Sequence, residues 1–282
     1  MPELPEVDIT ARLIDAAVRG VRVESALAPG INALKTFDPA LSALEGETIL
    51  GVRRRGKLFL IDLSGELTLL IHLMSAGRLQ LFGTRASPRD RTSRLLLRLE
   101  DGRELRLREF GTRQRAWVKL LRRPEVEAEE TLAALGPEAW PEPPVDLRER
   151  LDQPRPLYAI LRDQQVIAGI GRSWVDEILH AARLSPFKRG SDLEPGEADA
   201  LREAIREQLG RAIATYEDTL SLPIPDKLPM PLHVHRRNGE PCPRCGERLE
   251  AVFYEDYVMC YCPHCQTEGK VLKDRRLSRL LK

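Results

Sequence analysis

The chain has 282 residues, 42% hydrophobic and 31% charged, with five cysteines and a formal charge of +1. That length supports a sizeable core in roughly two domains, and no run approaches the roughly 20 apolar residues of a membrane helix. The start, Met1-Pro-Glu-Leu-Pro-Glu6, lacks the basic and apolar regions of a secretory leader, so the cysteines are expected to be reduced thiols in the cytoplasm.

Pro5 and the segment from Glu6 to Ala17 predict a first helix, with Val7, Leu13, Ile14 and Ala17 along one face and Gly20 as its stop. Residues 21–120 read as short strands. The clearest are 57–63, 67–73, 94–100, 103–110 and 116–120, with Asp101-Gly102 as a tight turn. Along 105–108 leucine and arginine alternate, which places arginines on one strand face and leucines on the other. Antiparallel strands of this kind predict a sandwich or barrel. Arg85 to Arg123 carries 13 basic and 5 acidic residues, and Pro124 to Glu149 carries 8 acids and one arginine. The pattern suits a polyanion groove beside a solvent-facing linker, or equally a set of solvated strand faces.

The acidic, proline-rich stretch 137–144 marks a domain boundary. Helices are expected over 157–166, 173–182 and 197–220, with Gly169 and Gly171 between the first two. Helix, glycine turn and helix together offer backbone N–H groups suited to phosphate oxygens. A linker at 223–231 leads to Cys242, Cys245, Cys262 and Cys265, spaced C-x2-C-x16-C-x2-C around a strand-like stretch at 249–261. Two turns with two thiolates each satisfy one tetrahedral Zn²⁺ in a β-hairpin ribbon. The rival, paired disulfides, would leave Cys260 over.

Several motifs occur together in one order: Pro2-Glu-Leu-Pro-Glu-Val7, Arg55-Gly-Lys57, His72-Leu73, Arg108-Glu-Phe-Gly111, Asp163-Gln164, Ala168-Gly-Ile-Gly171, Asp176-Glu-Ile-Leu179 and the cysteine hairpin. With them the chain resembles the formamidopyrimidine-DNA glycosylase and endonuclease VIII family across nearly its full length. The resemblance implies an α+β multidomain fold. A helix and two-layer β-sandwich (1–136) would be followed by a helix–two-turns–helix domain (137–230) and a zinc finger (231–282). It implies excision of an oxidised base from double-stranded DNA, then abasic-strand cleavage by β,δ-elimination through an N-terminal proline. That proline is Pro2 once Met1 is removed.

The resemblance also assigns roles by position. Glu3 acts as general acid/base, Glu6 caps the helix behind it, and Lys57 binds phosphate and assists catalysis. His72 contacts phosphate; read from its strand alone, it is a hydrogen-bonded histidine at the core edge. Arg108 and Phe110 fill the space left by the flipped base, with Met74 or Ser75 as the third candidate. Gln164, Gly169, Gly171, Arg172, Arg237 and Tyr257 fall at DNA-binding positions, and Leu184–Glu197 falls where the family has its lesion-recognition loop.

Several places depart from the family pattern, among them His235-Arg236-Arg237 where an aromatic-Gly-Arg usually precedes the cysteines. The His72-to-Leu79 segment puts Met74 one residue early and Ser75 in the intercalating place. Tyr257, after Asp256, stands where the family's hairpin has a phosphate-clamping arginine, and a phenol cannot make that bidentate charged contact. Arg172 replaces a phosphate-binding asparagine, and Tyr158 replaces a lysine. The expected activity is therefore an abasic-site lyase more secure than its base excision, in a cytoplasmic, nucleoid-associated monomer. The alternatives are a lyase with weak glycosylase activity and a protein that binds lesions without excising them.

Overall fold

The computed structural model describes residues 2–30, 32–111, 113–255 and 257–273. Met1, whose removal a proline nucleophile requires, and Asp256 lie outside them. The chain divides into two compact units, one running to Ala134 and including Ile213–Pro229, the other Leu135–Ala212 with the chain from Met230 onward.

In the first unit, α1 (Leu4–Val18) starts two residues before Glu6, because Glu3 serves as its N-cap and Pro5 is accommodated in its first turn. Two antiparallel sheets follow. One has the order β1 (Val23–Leu27), β6 (Ser93–Leu99), β7 (Glu104–Glu109), β5 (Gly77–Phe82). The other runs β2 (Ile49–Arg55), β3 (Leu58–Leu63), β4 (Leu67–His72), β8 (Trp117–Arg122). Val7, Ile14 and Val18 of α1 share one core with Phe59, Ile61, Leu69, Ile71 and Val118 of one sheet and Leu95, Leu97, Leu105 and Leu107 of the other. The alternation along β7 therefore does what its spacing predicts. Its leucines are fully buried in that core, while the Arg106 guanidinium lies 4.3 Å from the centre of the Phe82 ring. Strands β1 and β2 mix buried and exposed positions, which is why their sequence signal is weaker than that of β3 or β4. The short helix α2 (Glu130–Ala133) closes this part of the unit.

The second unit holds α3 (Leu147–Leu151), α4 (Leu157–Ile160), α5 (Arg172–Ala181) and most of α6 (Pro195–Thr219), then a hairpin of β9 (Glu250–Phe253) and β10 (Val258–Tyr261) and a terminal turn, α7 (Pro263–Thr267). The helix expected over 157–166 is a single turn. Beyond it the Asp163 carboxylate accepts the Gln165 N–H at 3.1 Å, a local side-chain bond that competes with helix.

The division also differs from the expected three parts. The end of α6 and the following linker pack with the first unit, where Tyr216 and Leu220 form a cluster with Ile9. The cysteine hairpin packs with the helices because two carboxylates of α5 hold it. Glu177 accepts the N–H groups of Val234 and His235 at 2.8 and 2.9 Å, and Asp176 accepts the Cys260 N–H at 3.1 Å and meets His235 Nδ1 at 2.6 Å. Both carboxylates are buried, so those partners are what make their positions tolerable.

Candidate active site

Pro2 and Glu3 are buried at the head of α1. Glu6 fixes them there. Its Oε2 accepts the Glu3 N–H at 2.8 Å, and its Oε1 accepts the Tyr216 hydroxyl at 2.8 Å. Burial and the Glu6 carboxylate push the Tyr216 phenol far above its usual range, so it stays a donor. The chain start is thus bracketed by a residue more than two hundred positions away. No local signal marks Tyr216, since a tyrosine on the apolar face of a long helix reads as core.

Removing that hydroxyl should leave a buried carboxylate oxygen without its donor, a loss of about 1–3 kcal/mol. Tyr216→Phe is expected to lower the thermal midpoint by a few degrees. It should also slow single-turnover cleavage of an abasic duplex while leaving the Kd for a tetrahydrofuran-containing duplex near the wild-type value. A change in Kd alone, with the cleavage rate kept, would show that Tyr216 does not position the chain start.

Lys57 lies in the two-residue turn between β2 and β3, where Gly56 adopts φ 56. Leu58 pairs with His72 at the end of β4. The His72 ring stacks on Trp117 with centroids 5.5 Å apart, and its Nδ1 accepts the Met74 N–H at 2.8 Å. Burial, and then the Lys57 charge, lower its pKa to about 4. A neutral imidazole whose Nδ1 accepts carries its proton on Nε2. His72 can therefore offer an uncharged donor beside the Lys57 ammonium, which suits a phosphate oxygen.

The segment after His72 is a tight turn rather than continuing strand. Gly77 N–H donates to Leu73 O at 2.8 Å, and Met74 sits at φ 52. A Cβ on Gly77 would lie 2.4 Å from Leu73 O, so the turn requires glycine there. Within it Ser75 is exposed and Met74 half-buried.

Arg108 and Phe110 are brought together, with the guanidinium 4.7 Å from the phenyl centroid. Arg108 Nη1 also donates to Gln80 Oε1 at 3.2 Å and Asp226 Oδ1 at 3.1 Å. Arg78, its cross-strand partner, donates from Nε to Asp226 O at 2.9 Å. Two arginines directly opposite would repel, and Asp226 from the linker offsets them. Burial lowers the Arg78 pKa while the Asp226 and Glu6 carboxylates pull it back up, which puts Arg78 within electrostatic reach of the α1 head. Arg78 and Asp226 were not singled out in the sequence, because their meeting depends on where the linker lands.

In the second unit the expected DNA-facing residues have mixed placements. Gln164 braces its own turn. Its Oε1 accepts the Gly169 N–H at 3.0 Å, and its Nε2 donates to Arg162 O and Ile170 O at 2.9 and 2.8 Å. Both the Gln164 amide and the Gly169 N–H are thereby spent inside the loop. Gly171 is the N-cap of α5 and Arg172 its first residue. Arg237 is exposed and engaged locally, donating to Leu232 O at 2.9 Å and Glu240 at 2.8 Å. Tyr257 stacks with Tyr254 at 4.3 Å and Tyr158 at 5.9 Å, and the guanidinium carbons of Arg162 and Arg172 lie 4.7 and 4.8 Å from its ring centre.

The sulfurs of Cys242, Cys245, Cys262 and Cys265 all lie within 4.8 Å of one another, a set that could hold a metal ion. The Cys245–Cys262 and Cys242–Cys265 separations are 3.5 and 4.0 Å. They bracket the ~3.8 Å edge of a tetrahedron with ~2.3 Å metal–sulfur bonds. Burial pushes the Cys262 thiol up, so four thiolates there call for a cation. Cys260 is apart from the set. Its sulfur accepts the Arg236 N–H at 3.2 Å, and burial raises its thiol to about 11.

Comparison with known proteins agrees with this geometry. Residues 1–114 match the formamidopyrimidine-DNA glycosylase N-terminal domain, and residues 135–223 match that enzyme's H2TH domain. The formamidopyrimidine-DNA glycosylase of Thermus thermophilus is 36% identical, with 95% of this chain and 100% of that protein covered. The Pediococcus pentosaceus enzyme is 33% identical over 94% and 99% of the two chains. Among solved structures, the T. thermophilus MutM (Fpg) protein superposes with a TM-score of 0.81 at 34% identity, covering 95% of this chain and 100% of that one. The Lactococcus lactis Fpg complex with DNA containing an abasic site gives 0.82 at 26% identity, covering 94% and 99%. No helix among the described residues is long and apolar enough to cross a membrane. The chain belongs to the formamidopyrimidine-DNA glycosylase family.

Proposed function

We propose that this protein is a DNA glycosylase of base excision repair that removes an oxidised base from duplex DNA and cleaves the resulting abasic strand through Pro2. The observation that carries the reading is the bracket at the head of α1, where Glu6 ties the Glu3 N–H to Tyr216. A catalytic chain terminus needs such a bracket, because free ends otherwise fray. Freed of Met1, the Pro2 amine belongs to a class with pKa about 8 and supplies an unprotonated nucleophile near neutral pH. It attacks C1′ of the deoxyribose as the bond to the base breaks, and the C1′–O4′ bond then opens, with a proton going to O4′, to leave an iminium. The iminium acidifies the neighbouring carbon for strand cleavage. Glu3, one residue away, shuttles the proton on the opened sugar.

Lys57 and His72 hold phosphate near the reacting sugar, and Arg108 with Phe110 occupies the space vacated by the flipped base. Zn²⁺ is the ion assigned to Cys242, Cys245, Cys262 and Cys265. It staples the hairpin and takes no part in the chemistry. The protein acts as a monomer at the nucleoid in the cytoplasm.

A second reading, strong lyase with weak base excision, is favoured by the tyrosine stack that occupies the hairpin position of the clamping arginine. A panel of duplexes separates the two, with abasic, 8-oxoguanine, formamidopyrimidine and oxidised-pyrimidine sites assayed for nicking and for borohydride trapping. The first reading expects trapped adducts on abasic and on at least one lesion duplex. Adducts on the abasic duplex alone would select the second. Binding without an adduct on any duplex would overturn both.

A further inference from the structure

The residues around Tyr257 form a group that includes Tyr254 and Arg162, to which no sequence motif assigns a role. Three tyrosines make a ladder, with Tyr254, Tyr257 and Tyr158 stacked at 4.3 and 5.9 Å and each neighbouring pair tilted by 12°. Tyr158 is almost wholly buried and Tyr257 half-exposed. Two arginines from the helical part lie against this ladder. The Arg162 guanidinium is 5.0 Å from the Tyr158 centroid and 4.7 Å from that of Tyr257, while Arg172 is 4.8 Å from Tyr257.

We propose that Arg162 and Arg172, held on the Tyr257 ring, form a phosphate clamp for the DNA strand, replacing the charge that the hairpin lacks. The proposal rests on the DNA-repair reading above.

An arginine held over an aromatic ring is attracted through the face of that ring, and the planar guanidinium fork is the part that fits a phosphate. The ring also limits the rotamers of a long side chain, which reduces the entropy lost on binding. Arg162 has no ion-pair partner among the described residues. Arg172 opens α5, a 10-residue helix whose N-terminal dipole adds positive potential at the same point. The loop joining the two arginines is braced by Gln164, bonded to Gly169 and Ile170, so the pair is carried on fixed backbone. The clamp thus comes from the helical turn, and the hairpin contributes the surface on which it is held. This also gives Tyr257 and Tyr158 a joint reason for standing where the family pattern has an arginine and a lysine.

The test is the salt dependence of binding to a duplex carrying a tetrahydrofuran abasic analogue, using the full metal-loaded chain. Each phosphate contact contributes about 0.9 to the slope of log Kd against log salt. Arg162→Ala and Arg172→Ala should each lower that slope by about one and weaken binding at low salt by roughly tenfold. Adding Tyr257→Arg to the double variant should recover at least one of the two lost contacts. That rescue also shows that the double variant is folded. Unchanged slopes in both single variants would overturn the clamp. So would weaker binding at an unchanged slope, the behaviour of a platform that stacks an unpaired base. Wild-type protein that neither binds the analogue nor forms a borohydride adduct would instead sink the repair reading itself.

Discussion

An N-terminal extension that keeps Pro2 inside the chain should abolish the borohydride-trapped adduct on an abasic duplex, with Kd for the tetrahydrofuran duplex changing far less. The peptide nitrogen of an internal proline has no lone pair available for attack, so the loss is complete rather than graded. Pro2→Gly is the subtler variant. It supplies a primary amine of similar basicity but without the fixed pyrrolidine ring at a chain end that the structure buries beside Glu3. Its cleavage rate should fall on the order of 10³-fold, the scale on which loss of a covalent nucleophile is felt. The measurement is single-turnover strand cleavage at saturating enzyme, with adducts counted on a denaturing gel. Full-rate cleavage by the extended protein would assign the nucleophile to another residue, Lys57 being the nearest alternative by chemistry.

Loss of the metal should have the second large effect. Four clustered thiolates without a cation are strongly unfavourable, and structural zinc in isolated fingers contributes about 10–16 kcal/mol of apparent binding energy that doubles as folding energy. Metal analysis of the native protein should find one zinc per chain. Cys245→Ser, at the exposed corner of the set, should release that zinc to a chromophoric chelator under conditions where the wild type retains it. Duplex affinity should drop by about 10²-fold or more, since the proposed metal would hold the hairpin whose turn carries Tyr254 and Tyr257. The first unit does not contain these ligands, so its thermal transition should persist. A chain that lacks bound metal yet shows wild-type affinity would remove zinc from the account.

The same cysteines show how unevenly the molecule could be read. Their spacing named a site because each pair needs only a local turn, and the structure places all four sulfurs within 4.8 Å. The leucine–arginine alternation of β7 and the apolar run of β4 were equally legible, since a period of two survives any packing. The helix expected over 157–166 was not, because Asp163 bonds locally and ends it after one turn. Gln164 was read as DNA-facing on its motif, but both ends of its amide close its own loop.

The sequence by itself determined the family, and it marked the proline–glutamate motif at the chain start and the cysteine set that could hold a metal, because each resides in short motifs whose residues lie within a turn or two of one another. Tertiary structure alone decided which distant groups support them. Tyr216 reaches Glu6 from the far end of a long helix, Asp226 lies between Arg78 and Arg108 from a linker, and Arg162 and Arg172 come against Tyr257. Each of these is a long-range encounter of a charged or aromatic side chain with a buried or shared partner. Such encounters are set by how sheets, helices and loops pack, so no local pattern in the chain announces them.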